Sequence, residues 1–130
     1  MTGTATVLVW AGVALVGGIG SVLRFVIDRA VARRVARAFP FGTLAVNVSG
    51  AALLGFLGGL ALSKDAALLA GTGFVGAYTT FSTWMLETQR LGEERQTWTA
   101  LANIVVSVVL GIAAALLGQW AGQQFVASRA

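Results

Sequence analysis

Gly73-Phe74-Val75-Gly76-Ala77-Tyr78-Thr79-Thr80-Phe81-Ser82-Thr83 sets glycines and hydroxyl groups in the middle of an otherwise apolar run. In hydrocarbon every backbone N–H and C=O needs a partner. A helix-breaking segment at membrane depth therefore persists only where it is buried in protein or lines a cavity or an ion site. The stretch reads as a functional segment for that reason, and the rest of the chain shows that membrane depth is its setting.

Of the 130 residues, 57% are hydrophobic and 11% charged, far from the average of soluble domains and indicative of one membrane domain, residues 1–130. Without Cys there is neither a disulfide framework nor a thiolate metal site, and without His the commonest metal ligand and general base is missing. The acidic residues, Asp28, Asp65, Glu87, Glu93 and Glu94, sit at or near the ends of apolar runs, so no buried carboxylate pair for acid–base work is expected. The net charge of +4 comes from arginines beside apolar spans. Membrane orientation and anionic headgroups explain it better than nucleic acid does. The N-terminal apolar stretch lacks a basic leader and a clear small-residue cleavage site, so it is expected to be retained as a span.

About 20 apolar residues cross the hydrocarbon core. Spans are accordingly expected over residues 7–27, 43–62, 66–86 and 98–120, giving an all-α membrane protein of four transmembrane helices with the third broken in mid-membrane. Residues 28–39 put Arg29, Arg33 and Arg37 in one helical row and Val31, Val35 and Ala38 in another, the pattern of a short interfacial helix ended by Pro40. A solvated basic loop is the alternative. Small residues recur at helix-packing intervals in Gly17/Ser21, Ala51/Gly55/Gly59 and Ala114/Gly118/Gly122. Such rows let helices approach closely in lipid and say nothing about substrate.

The polar residues within the spans need individual explanation. Arg24 near the end of the first span either snorkels to the interface or serves a structural or anion-attracting vestibule. Thr43 and Asn47 share a face of the second span with Gly50 and Ala51; the Asn47 amide has donors for an anion or for a neighbouring carbonyl. In the third span Gly71, Gly73 and Gly76 loosen the helix, and Thr79 or Thr80 can cap a new one starting near Phe81. A free helix N-terminus favours anions and unwound carbonyls favour cations, so one break can serve both signs at different points. Phe81 and Trp84 follow on one face; aromatic residues in membranes mostly pack, but a ring edge carries positive partial charge and can meet an anion. In the fourth span Asn103 and Ser107 form the mid-helix polar pair, with packing the expectation for Asn103.

Three segments together resemble the fluoride channel family called Fluc or CrcB: residues 17–25, residues 42–50 and the run from Gly73 through Trp84. The resemblance covers the chain end to end. It implies an antiparallel dimer of four-span subunits in the bacterial plasma membrane, with fluoride pores at the interface and a central structural sodium ion. It also implies that Asn47 and Phe81 touch fluoride and that the Gly76 and Thr79 carbonyls hold sodium. Trp84 stands where the family has a second phenylalanine, and Ala77 where it usually has glycine. The family's fourth span usually offers more hydroxyls, and Ser107 is the match here.

Fluoride is small and strongly hydrated, so a selective path must replace its water with a dense line of donors. The candidates are the Asn47 amide, the Thr80, Ser82 and Thr83 hydroxyls, the Trp84 indole and the ring edges. None of these is a proton-accepting carboxylate, which favours passive conduction. A small multidrug exporter would need an ionisable carboxylate inside a span, and residues 1–27 contain no Asp or Glu. A non-transporting membrane assembly subunit is the third class. Four spans would put Arg29, Arg33, Arg34, Arg37, Arg90 and Arg95 on one side and only Lys64 and Arg129 on the other. That bias opposes equal insertion in both directions and leaves two dimers open: a dual-topology homodimer, or a heterodimer with an oppositely oriented paralogue.

Overall fold

The computed structural model describes residues 2–130, which are helical apart from short connections and contain no strand. Helix α1 (Gly3–Arg34) starts at Thr2, whose hydroxyl accepts the Ala5 N–H at 3.2 Å. Helix α2 (Phe41–Gly59) follows Pro40. A composite element comes next: α3 (Lys64–Ala67), a π-helical stretch (Leu68–Val75) and α4 (Gly76–Tyr78). Helix α5 (Phe81–Glu93) begins beyond a break, and α6 (Thr97–Ala127) completes the chain. Helices α1, α2 and α6 are each long and apolar enough to cross a membrane, which makes this a multi-pass membrane protein. At about 1.5 Å per residue the 32 residues of α1 reach about 48 Å, well beyond a hydrocarbon core of about 30 Å.

One expectation is corrected by the helix bounds. Residues 28–34 are not a helix of their own but the last turns of α1, and only residues 35–40 leave helical geometry. Nothing between Ile27 and Arg34 removes a backbone donor or demands an unusual dihedral, so the helix propagates through these residues; it ends at Arg34, ahead of the Phe39-Pro40 step, where the residue before proline is held away from helical dihedrals. At the other end of the chain, α6 runs past residue 120 to Ala127 for the same reason.

The small-residue rows explain how the helices meet. A methyl group on Gly55 would strike the Ala115 carbonyl, one on Gly118 the Ala52 carbonyl, and one on Gly122 the Phe56 carbonyl. Helices α2 and α6 thus lie backbone to backbone, and this is the most extensive helix pairing in the molecule. Helix α1 packs on the π-helical stretch in the same manner. Gly20 faces the Phe74 carbonyl, and a Cβ on Gly17 would stand 3.4 Å from the Gly73 carbonyl. Large apolar side chains such as Leu8, Leu15, Val22, Leu116 and Leu117 point outward, as suits a surface solvated by lipid.

The glycines at 71, 73 and 76 do not unwind the third hydrophobic segment. They accompany a widening of its turns, in which the Gly76 N–H reaches back to the Gly71 carbonyl, and Gly76 itself keeps helical dihedrals (φ −59°, ψ −38°). The chain leaves the helix only at Thr79 (φ −82°, ψ 160°) and Thr80 (φ −144°, ψ 121°). With α1 holding one side of this element, the break faces α2.

Candidate functional site

Two extended residues inside an apolar segment expose backbone groups that a continuous helix would have paired, and Asn47 on α2 takes up both groups of Thr80. Its Oδ1 accepts the Thr80 N–H at 2.8 Å and its Nδ2 donates to the Thr80 carbonyl at 2.9 Å. The Thr79 N–H and hydroxyl both donate to the Val75 carbonyl, at 3.0 and 2.9 Å. The Thr80 hydroxyl accepts the Thr83 N–H at 3.2 Å and so caps α5. Asn47 therefore acts as glue between helices, and its amide still has one N–H to offer.

The same diversion frees carbonyls. In a continuous helix the Thr80 N–H would have bonded the Gly76 carbonyl and the Thr83 N–H the Thr79 carbonyl. Here those donors serve Asn47 and the Thr80 hydroxyl instead. The oxygens of Gly76 and Thr79, the pair singled out for sodium, have thus lost their helical partners, and a hard cation suits such carbonyl oxygens. Among the described residues there is no cluster of His, Cys, Asp and Glu able to hold a metal ion.

Asn47, Thr79, Thr80, Phe81 and Trp84 come together around one open groove of about 280 Å³, completed by Gly50, Ala51, Leu54 and Val75. Phe81 stands at its mouth, 70% exposed, with its ring edge-to-face against Trp84 at a centroid distance of 5.7 Å and an interplanar angle of 81°. The groove lining contains no carboxylate.

Thr80 also borders a second cleft of about 240 Å³, which it shares with Thr83, Thr43, Asp28 and Arg24. The Arg24 guanidinium therefore belongs with the polar residues of the break, and its buried Nε has no hydrogen-bond partner among the described residues. The Ser82 hydroxyl lies 3.5 Å from that of Thr80.

Two expected donors are already engaged. The Trp84 indole N–H donates to the Asn103 carbonyl at 3.1 Å, and the Ser107 hydroxyl donates to the Asn103 Oδ1 at 3.5 Å. Within this chain Trp84 presents a ring, not an N–H, to the groove. A further polar contact escapes composition-level reading: the Thr43 hydroxyl donates to the Glu87 carboxylate, with Thr43 only 3% exposed. Glu87 looks like a span-end charge, but it lies one helical turn beyond Thr83 on the same face of α5, and that spacing was the available signal.

Residues 11–119 match the family described as CrcB-like protein, Camphor Resistance (CrcB). A protein of Mycobacterium tuberculosis (strain ATCC 25618 / H37Rv) named fluoride-specific ion channel FluC 2 is 80% identical over 118 residues, covering 91% of this chain and 94% of that protein. The fluoride-specific ion channel FluC 1 of Leifsonia xyli subsp. xyli is 43% identical over 126 residues, 94% of this chain and 92% of its own length. That of Streptomyces avermitilis is 45% identical over 109 residues, 81% and 88% of the two chains. A family match running from α1 through most of α6, and relatives this similar over nearly their whole length, establish that the chain belongs to the CrcB-like family.

Proposed function

We propose that this protein is a fluoride-selective channel that lets fluoride leave the cytoplasm by passive electrodiffusion. The observation that carries the reading is the groove at the Thr79–Thr80 break, which combines aromatic edges and polar donors without a carboxylate, in a chain 80% identical over 118 residues to a protein named fluoride-specific ion channel FluC 2. The spare Asn47 N–H, the Phe81 ring edge, the wall formed by the Trp84 ring, the Thr80, Ser82 and Thr83 hydroxyls and Ser107 line the route, and Arg24 draws anions toward it. Passive flow needs no proton-accepting group, so the family membership and the groove together speak against a multidrug exporter and against a non-transporting assembly subunit.

In this reading residues 64–93 make the third of four crossings: α3, the π-helical stretch and α4 on one side of the break, α5 on the other. The groove is open, and Phe81 is exposed at membrane depth, where a second subunit covers it. Two antiparallel subunits bring their breaks together across a two-fold axis and gather the Gly76 and Thr79 carbonyls of both around one sodium ion. The ion, when bound, supplies a fixed positive charge beside the helix ends. The arginine bias between the two sides supports pairing with an oppositely oriented paralogue, while equal insertion in both orientations would give a homodimer.

The test is fluoride efflux from liposomes containing the purified protein, followed with a fluoride electrode and without a pH gradient. Rapid efflux with far slower chloride loss is expected. Chloride flux equal to that of fluoride refutes selectivity, and no flux refutes the channel.

A further inference from the structure

We infer that Asn103 is a positioning residue of the groove: it fastens α5 to α6 at Trp84 and thereby fixes the indole ring against Phe81. The inference rests on the channel reading above and concerns residues outside the groove lining itself.

Trp84 and Asn103 exchange side-chain-to-backbone bonds. The Trp84 indole N–H donates to the Asn103 carbonyl at 3.1 Å, and the Asn103 amide donates back to the Trp84 carbonyl at 3.4 Å. The same amide donates to the Thr88 hydroxyl at 2.9 Å, and that hydroxyl donates to the Trp84 carbonyl at 2.9 Å. Asn103 is 1% exposed, the most enclosed amide of α6. An amide at such a site persists because its donors and acceptor are met.

The geometry makes the consequence specific. Helix α6 packs mainly along α2, and α5 touches it over a shorter length. The small-residue contacts that hold α2 to α6 do not reach α5. The polar cross-link is therefore the joint that sets where α5 stands relative to α6. It acts at the residue whose ring forms the groove wall, edge-to-face with Phe81 at 5.7 Å. The acceptor of the indole N–H is the main-chain oxygen of Asn103. The Asn103 amide acts by holding the Trp84–Thr88 turn of α5 where the indole reaches that oxygen, so that an anion meets a ring there and not a strong donor.

The experiment uses the full chain labelled with 5-fluorotryptophan, in detergent for fluorine NMR and in liposomes for fluoride efflux. The Trp84 line is assigned by its loss in Trp84→Phe. Asn103→Leu, close in volume and without the amide, is expected to move or broaden the Trp84 line while leaving those of Trp10 and Trp120 in place. It should also lower fluoride efflux roughly 3- to 10-fold, the range set by one or two interhelical hydrogen bonds in lipid. Thr88→Val removes one arm of the joint and keeps the Asn103 amide. It should produce the same changes to a smaller extent, and it serves if Asn103→Leu fails to fold. A conducting wild type whose Trp84 line is unmoved in both variants overturns the inference and leaves the channel reading standing. A shifted line with unchanged efflux overturns the positioning role. Wild-type vesicles that pass no fluoride refute the channel reading instead, and with it any role of Asn103 in conduction.

Discussion

Replacing Asn47 by Leu removes both bonds to Thr80 while keeping side-chain volume, and so separates a clamp from a mere lining residue. The two bonds measure 2.8 and 2.9 Å and satisfy a backbone N–H and C=O that have no helical partner at the break. Interhelical hydrogen bonds in membranes average about 0.6 kcal/mol and reach about 1.7 kcal/mol, so the pair is worth roughly 1–3 kcal/mol. That corresponds to a roughly 5- to 200-fold shift away from the clamped conformation. The expected result is a protein that still inserts, because α2 and α6 remain packed through Gly55, Gly118 and Gly122, but that unfolds earlier in a denaturant titration and conducts fluoride at least fivefold more slowly. Asn47→Asp keeps the acceptor for the Thr80 N–H, loses the donor to the Thr80 carbonyl, and places a carboxylate in the groove. It should retain more stability than Asn47→Leu yet conduct even less, since a fixed negative charge repels the anion. Undiminished stability and efflux in Asn47→Leu would refute the idea that Asn47 holds the break.

Phe81→Ile should leave stability nearly unchanged, because the ring is 70% exposed in the subunit, while fluoride efflux is lost with the ring edge; undiminished efflux from a dimeric variant returns Phe81 to packing. Gly118→Val should destabilise the fold by about 1–3 kcal/mol or prevent its assembly, since a side chain there meets the Ala52 carbonyl and the Phe56 nitrogen of α2; a variant of wild-type stability would show that the α2–α6 contact is looser than described. Thr79→Ser should be nearly silent for sodium dependence, because the proposed ligand is the main-chain oxygen and Ser keeps the hydroxyl bond to Val75; a lost dependence would implicate the side chain. Labelling a C-terminal tag from each side of the membrane should reveal one dominant orientation, in keeping with the arginine bias; equal labelling from both sides means dual insertion and removes the argument for a paralogous partner.

Hydropathy and local backbone chemistry are properties of neighbouring residues, so the sequence by itself determined the long apolar helices α1, α2 and α6 and the start of a new helix near Phe81, though not that the glycines before it stay helical. Thr80 caps α5 in the structure for the reason its hydroxyl suggests in the sequence: a cap reaches only three residues along the chain. The small-residue rows were legible too, since a helix face repeats every few residues. What only the tertiary structure decided is who meets whom across helices. Asn47 and Thr80 are far apart in sequence, and whether the amide turns to that backbone or to a ligand depends on the rotation and separation of α2 and the broken element. Likewise nothing near Trp84 in the chain shows that its N–H is used by the Asn103 carbonyl, or that Thr43 meets Glu87. Those pairings follow from how deeply glycines let the helices approach and at what rotation they lock, a collective outcome of packing that no single stretch of sequence encodes.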